Sequence, residues 1–373
     1  MKDVFITDMA AISSIGNSLE EMLPPLYRGD TAVDNITRFS TEKLEYHKGA
    51  CISGLDSNDD DNRISELTKR LMAHIKSPPE RTYLVWTGIK GDVEFIESRA
   101  EGKAKTDLYL AGHYRKLVAK TLGIEDSGME INAACASSTM GLALAAQLIS
   151  SGSHSSVLVC GADIVSRFSF TGFSALRGLS ATVCRPFDKE RDGLVLGDGA
   201  AALLLTDEET TKKEGYKPQA RLSGWGIAND ANHITGPARD ARGLIKAIRS
   251  AMDQAGLSAS DVEAFCAHGT GTVFNDAMEL TAVESIFGSR KFPLFSIKGA
   301  IGHTLGAAGA IESALSIKAM KKKEVPPTTG FINHEERTEG RVSSRPQNFP
   351  GKNILTTNSG FGGCNAALIF ENL

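Results

Sequence analysis

The sequence predicts an α/β protein built of stacked layers, and two observations carry that prediction. Short apolar runs at 4–7 (VFIT), 155–163 (SSVLVCGAD), 201–206 (AALLLT), 262–267 (VEAFCA) and 353–357 (NILTT) alternate with longer segments of helical period, as strands feeding helices do. Two helical segments, 140–149 (MGLALAAQLI) and 307–320 (AAGAIESALSIKAM), are apolar nearly all round, so each must be covered on every side. Helices of that kind belong at the centre of a layered core.

Each half of the chain holds a strand leading into one of these Gly- and Ala-rich helices, with Cys135 opening the first and His303 the second. That repetition suggests an internal duplication, the halves being joined through the polar stretch TDEETTKKEGYKP (206–218). Two further polar stretches, SNDDDNR (57–63) and NHEERTEGRVSSRP (333–346), read as surface loops or exposed helix. At 373 residues, with 41% hydrophobic and 23% charged, the chain can bury a core larger than a single usual domain.

Composition also excludes. A net charge of −4 and a pI near 6.1 oppose general affinity for nucleic acid. No apolar run approaches the roughly 18 residues of a membrane helix, and Asp3 and Asp8 interrupt what would be a signal core, so a cytoplasmic protein is expected. The six cysteines contain no C-x-x-C pair, which argues against a zinc ribbon, a thioredoxin-type motif or a disulfide framework.

Four segments carry candidate chemistry. In MEINAACASSTMGLALAAQ (129–147) Cys135 stands where small residues open a buried helix. There the helix dipole and free N–H groups favour a thiolate, although a buried structural cysteine fits the same pattern. In AHGTGTVFNDAMEL (267–280) His268 follows a strand, and Thr270 and Thr272 can hydrogen-bond an amide-rich arm. In FSIKGAIGHTLGAAGAIE (295–312) Lys298 and His303 bracket a glycine-containing turn; a phosphate-cradling loop is the rival, but the GxxxxGK[ST] order is absent. In TTNSGFGGCNAALIF (356–370) a strand–turn–strand exposes backbone amides beside one aromatic, an oxyanion hole or an ordinary hairpin turn. A metal site from Cys135, His268 and His303 is disfavoured because no neighbouring carboxylate would orient the imidazoles, and a Cys–His hydrolase would leave the second histidine and Lys298 without a task.

Taken in order, these segments resemble the β-ketoacyl-[acyl-carrier-protein] synthases of the thiolase superfamily, particularly the elongating type II enzymes. The likeness includes ITDMAAISSIGNSLEEMLPPLYRGDTAV, TGFSALRGLSATVCRPFDKERDGLVLGDGAAALLL and DANHITGP. It implies a thiolase-like five-layered αβαβα fold of two duplicated halves, 1–207 carrying the nucleophile and 208–373 the two histidines. It places the nucleophile on Cys135, the catalytic histidines on His268 and His303, a supporting lysine on Lys298, acidic partners on Asp276 and Glu279, and a gate-keeping aromatic on Phe361. The N–H groups of Cys135 and Phe361 would form the oxyanion hole, and Thr270 and Thr272 would bind phosphopantetheine. Lys298, paired with Glu279, would hold the surroundings of His303. Lys69, Arg70 and Arg177 are candidates for docking an acidic carrier protein. The resemblance implies decarboxylative condensation of a Cys-bound acyl group with malonyl-carrier protein, with no metal or redox cofactor, in a homodimer or, alternatively, in a heterodimer with a chain-length-factor-like subunit. Three departures, a shortened 82–129 region, a trimmed loop after Leu179 and NSGFGG without a second Phe, suit a specialised polyketide or polyene pathway as well as fatty-acid synthesis.

Overall fold

The computed structural model describes residues 1–56, 62–89, 91, 93–100, 102 and 112–373, so the loop expected at 57–61 lies outside the described residues. Among the described residues ten strands fall into two sets of five. The first is β1 (Phe5–Ser13), β2 (Tyr83–Thr87), β3 (Gly128–Ile131), β4 (Ser156–Asp163) and β5 (Gly199–Thr206). The second is β6 (Ala220–Asn229), β7 (Ala264–Cys266), β8 (Leu294–Phe295), β9 (Asn353–Gly360) and β10 (Cys364–Glu371).

Side by side the strands run β1-β5-β4-β2-β3 and β6-β10-β9-β7-β8. Numbered within its own set, each reads 1-5-4-2-3, with two antiparallel pairings followed by two parallel ones. The sets pair with each other at Phe5↔Arg221 and Ile6↔Ala220. The stretch 206–218 crosses between them as a short helix, Glu208–Lys213, whose first turn is capped by the Asp207 side chain on the Thr210 N–H.

β4 and β5 are buried at every position, which is why they read as unbroken apolar runs rather than alternating ones. β1 continues past the expected residue 7 to Ser13. Its register slips between Ile6 and Asp8, and the Asp8 carboxylate accepts from Met9 and Lys76 N–H groups, so a polar residue sits at a bulge inside an apolar strand.

Seven helices position the site: α1 (Arg63–Met72), α2 (His113–Leu122), α3 (Ser137–Ser150), α4 (Arg167–Ala175), α5 (Arg242–Ala255), α6 (Val273–Phe287) and α7 (Ala308–Lys322). α3 and α7 are the two all-apolar segments; they pack on each other and against strands of both sheets. Their contact is close enough that a Cβ on Gly309 would stand 1.9 Å from Thr139 Oγ1. α1 and α2 cover the outer face of the first sheet, and α5 and α6 that of the second. The result is five layers, αβαβα, with the core of the middle layer formed by side chains such as Leu142, Ile149 and Ile311. Fully burying each such side chain is worth about 1.5–3 kcal/mol.

Candidate active site

Cys135 sits two residues ahead of α3, in a turn that the sequence folds tightly. Ala134 adopts φ 49°, a left-handed conformation rare outside glycine. The Ser137 hydroxyl accepts from the Ala133 N–H (2.9 Å) and donates to the Ala134 carbonyl (2.6 Å). This turn points the sulfur into the cleft beside the positive end of the α3 dipole. Burial pushes three other thiols, Cys51, Cys160 and Cys184, up to about 12, where they remain unreactive.

His268 and His303 come from the second half and meet edge to face, their ring centres 5.0 Å apart and both buried. His303 does not itself open α7, contrary to expectation. Gly302 at φ 70° and Leu305 at φ 52° break the backbone, and a single 3-10 turn over Leu305–Ala307 intervenes. That turn serves the imidazole, because the Leu305 N–H donates to His303 Nδ1 (3.3 Å) and leaves the proton on Nε2.

His268 reaches the same state by other means. Asn358 Nδ2 donates to its Nδ1 (2.9 Å) and to Glu312 Oε2 (2.8 Å), and the Lys298 ammonium lies 3.2 Å from the same Nδ1. Both neighbours are donors, so Nδ1 must accept and Nε2 must carry the proton. Burial first, then the Lys298 charge and the nearby His303, hold the imidazole well below its ordinary pKa.

Lys298 is buried, and its partner is Glu312, on the first turns of α7, rather than Glu279. It also donates to the His268 carbonyl, so it braces His268 and not His303. Glu279 and Asp276 have a different task. Glu279 accepts from the N–H groups of His268 and Gly269 (2.7 Å each), and Asp276 from those of Thr270 and Gly271, which holds the loop after β7 in shape. Burial and then the neighbouring Asp276 carboxylate push Glu279 up to about 8. Glu312 and Asn358 escaped sequence reasoning. One signal for Glu312 was present, the lone carboxylate of the helix, standing among small and apolar residues over 308–317.

Cys135, His268 and His303 line one cleft of about 460 Å³, together with Thr270, Thr272, Arg177 and Phe361. The Thr270 and Thr272 hydroxyls are 2.8 Å apart. The end of β9 approaches the nucleophile closely: a Cβ on Gly360 would stand 2.8 Å from the Ala133 carbonyl and 3.1 Å from the Cys135 nitrogen. Phe361 packs against Phe173 of α4, ring centres 5.6 Å apart, and both rings also line an apolar cavity of about 850 Å³. Lys69 and Arg70 lie on α1, away from the residues that line the cleft, and Arg70 is engaged by Glu66 and the Gly54 carbonyl. Among the described residues no group of three or more His, Cys, Asp or Glu side chains could hold a metal ion.

Two five-stranded sheets of identical order around two buried helices, with a cysteine and two histidines converging between them, define a condensing enzyme of the thiolase fold. More particularly, the chain belongs to the β-ketoacyl synthase family: the beta-ketoacyl synthase N-terminal domain matches residues 109–211 and the C-terminal domain residues 219–332. It is 28% identical to the 3-oxoacyl-[acyl-carrier-protein] synthase 2 of Staphylococcus aureus (strain COL), over 99% of this chain and 98% of that one. Among solved structures it is similar to the ishigamide ketosynthase/chain length factor, with a TM-score of 0.91, 27% identity and coverage of 100% and 99%. A beta-ketoacyl synthase from Burkholderia phymatum STM815 gives a TM-score of 0.87, 26% identity and full coverage of both chains.

Proposed function

We infer that this synthase condenses a Cys135-bound acyl group with malonyl-acyl-carrier protein, giving 3-ketoacyl-acyl-carrier protein and carbon dioxide, in fatty-acid or specialised polyketide synthesis. The observation that carries this assignment is that donors meet Nδ1 of both imidazoles, the Leu305 N–H at His303 and the Asn358 amide at His268, in two residues that line one cleft with Cys135.

In the first stage the Cys135 thiolate attacks the acyl thioester carbonyl. The oxyanion is held by the N–H groups of Cys135 and Phe361, and collapse expels the carrier thiolate and leaves the acyl chain on sulfur. In the second, malonyl-carrier protein lays its thioester carbonyl between the two Nε2–H groups. The bond to the carboxylate breaks, its electron pair enters the enolate, and the two neutral imidazoles stabilise the developing oxygen charge. The enolate carbon then attacks the acyl–Cys135 carbonyl, the new carbon–carbon bond forms, and the thiolate leaves. Lys298 and Glu312 touch no reacting atom; they position His268. Thr270 and Thr272 hydrogen-bond the amides of the phosphopantetheine arm, and this route calls for no metal or redox cofactor. Among the described residues no helix is long and apolar enough to cross a membrane, and we place the enzyme in the cytoplasm.

Likeness to a ketosynthase/chain length factor favours a second arrangement, in which this chain acts within a heterodimer. Incubation with a panel of acyl-carrier proteins followed by intact-mass measurement tests both. The wild-type chain alone gains one acyl mass, and Cys135→Ala gains none and makes no 3-ketoacyl product. A Cys135→Ala protein that still elongates an acyl chain would falsify the assignment, and a wild-type chain acylated only beside a second subunit selects the heterodimer.

A further inference from the structure

Asn275, the third residue of α6, is half-buried and lines the Cys135 cleft with Thr270 and Thr272. It stands one helical turn ahead of Glu279, so the two side chains share a face of the helix. Its Nδ2 lies 2.9 Å from Glu279 Oε2 and 3.2 Å from Asp276 Oδ1. Those two oxygens also accept the Gly269 and Thr270 N–H groups, at 2.7 and 3.0 Å, so the amide end turned to them is the nitrogen.

A primary amide carries two N–H donors and one acceptor oxygen. Both donors of Asn275 are spent on buried carboxylates, and the oxygen, which diverges from the nitrogen at the amide carbon, is turned away from them. Among the described residues no donor meets Asn275 Oδ1. Other acceptors in the cleft wall are already engaged. Asp230 accepts from Asn365 Nδ2 and the Ala238 N–H, and Asn365 Oδ1 accepts from the Ser359 hydroxyl. Asp192 also lines the cleft, but it is exposed.

We propose that Asn275 is a substrate-binding residue, its Oδ1 accepting an amide N–H of the pantetheine arm while Asp276 and Glu279 fix its orientation. The proposal rests on the condensing function above, which brings that arm into the cleft. Each arm amide presents one N–H and one carbonyl. The Thr270 and Thr272 hydroxyls can donate to a carbonyl, but an N–H drawn out of water needs an acceptor. The carboxylates that shape the loop after β7 thereby also orient a group that holds the substrate.

Two analogues of acyl-pantetheine test it, each with one amide N–H replaced by an ester oxygen, and each bearing the acyl group that the carrier-protein panel transfers to Cys135. For one of them, kcat/KM for acylation of the wild-type enzyme should fall about three- to tenfold further than it does on Asn275→Ala, the scale of one neutral hydrogen bond. With the amide donor, Asn275→Ala should itself lose about as much. The weaker carbonyl of the ester affects both enzymes alike and cancels in the comparison. An Asn275 needed only to hold the loop would lower every donor by one factor and leave the preference for the amide intact in the variant, which overturns the proposal. So does a wild-type enzyme that accepts both esters as well as the amide, a result independent of how the variant folds. If Asp192→Asn removes the preference and Asn275→Ala does not, the acceptor is Asp192 and the proposal falls. A wild-type enzyme that no donor acylates, alone or beside a second subunit, sinks the condensing function itself, and this contact with it.

Discussion

The two halves of this molecule have one topology and opposite chemical burdens. In each, the third strand leads into the central helix: β3 into the Cys135 turn and α3, β8 into the Lys298–His303 segment and α7. Cys135 and His303 therefore occupy corresponding places in the duplicated plan. Around Cys135 the turn is held by its own backbone and by Ser137. Around the histidines lies a connected set of buried polar side chains, Lys298, Glu312, Asn358 and Thr139, none facing bulk water. The difference follows from the tasks. A nucleophile must meet a changing acyl chain, so it stands on a turn that lines the cleft; hydrogen-bond donors for an enolate must not move, so theirs are held by a crowded and satisfied polar set.

The sharpest way to break that division is to remove the histidines one at a time. His268→Ala and His303→Ala should each slow malonyl decarboxylation by about 10²–10³-fold, the scale of losing one oxyanion donor. Acylation of Cys135, followed by intact mass, should be far less affected, because it uses the first half and the turn at Phe361. Equal losses in both stages would mean that the halves do not divide the work.

Next comes the buried pair. Glu312→Gln leaves the Lys298 ammonium buried without its counter-charge, and removing one partner of such a pair costs about 3–5 kcal/mol, read as a fall in the denaturant midpoint. Replacing both, Lys298→Met with Glu312→Leu, should recover most of that stability yet leave decarboxylation impaired. The opposite pattern, with activity recovered alongside stability, would reduce the pair to a packing element.

How far this plan is legible in the sequence differs between the halves for the same physical reasons. The long buried strands β4 and β5 and the helices α3 and α7 announce themselves because burial on every side writes a mostly apolar run. β8 has two residues and β7 three, too short to show any period, so the second sheet is visible only through its neighbours. Cys135, His268 and His303 are marked by the glycines and small residues their turns require. The Lys298–Glu312 pairing is long-range: fourteen residues apart, the two meet only because a 3-10 turn and the kink at Leu305 fold the chain back before α7 begins. The family resemblance instead suggested Glu279, an acid on α6, which here accepts the backbone N–H groups of His268 and Gly269.

The smallest expected effect concerns pH, and its value lies in being small. An ordinary imidazole, with a pKa near 6.5, would be mostly protonated at about pH 6. His268 is held well below that, first by burial and then by the Lys298 charge, so its neutral form persists as pH falls. The Nε2–H donor also survives, because Asn358 Nδ2 and the Lys298 ammonium both present hydrogens to Nδ1 and leave no room for a second proton there. The decarboxylation rate should consequently change by less than about twofold from about pH 7 to about pH 6, below the titration of Glu279 at about 8, read with a malonyl donor and a preacylated enzyme. Asn358→Asp supplies the contrast. It replaces a donor at Nδ1 by an acceptor, favours the imidazolium, and raises the His268 pKa, so the loss of rate on acidification should move up into the same window. A wild-type profile that already halves near pH 6.5 would show that the crowded half of the site does not fix its protons, and the distinction between a nucleophile on a turn and clamped donors would fail at its centre.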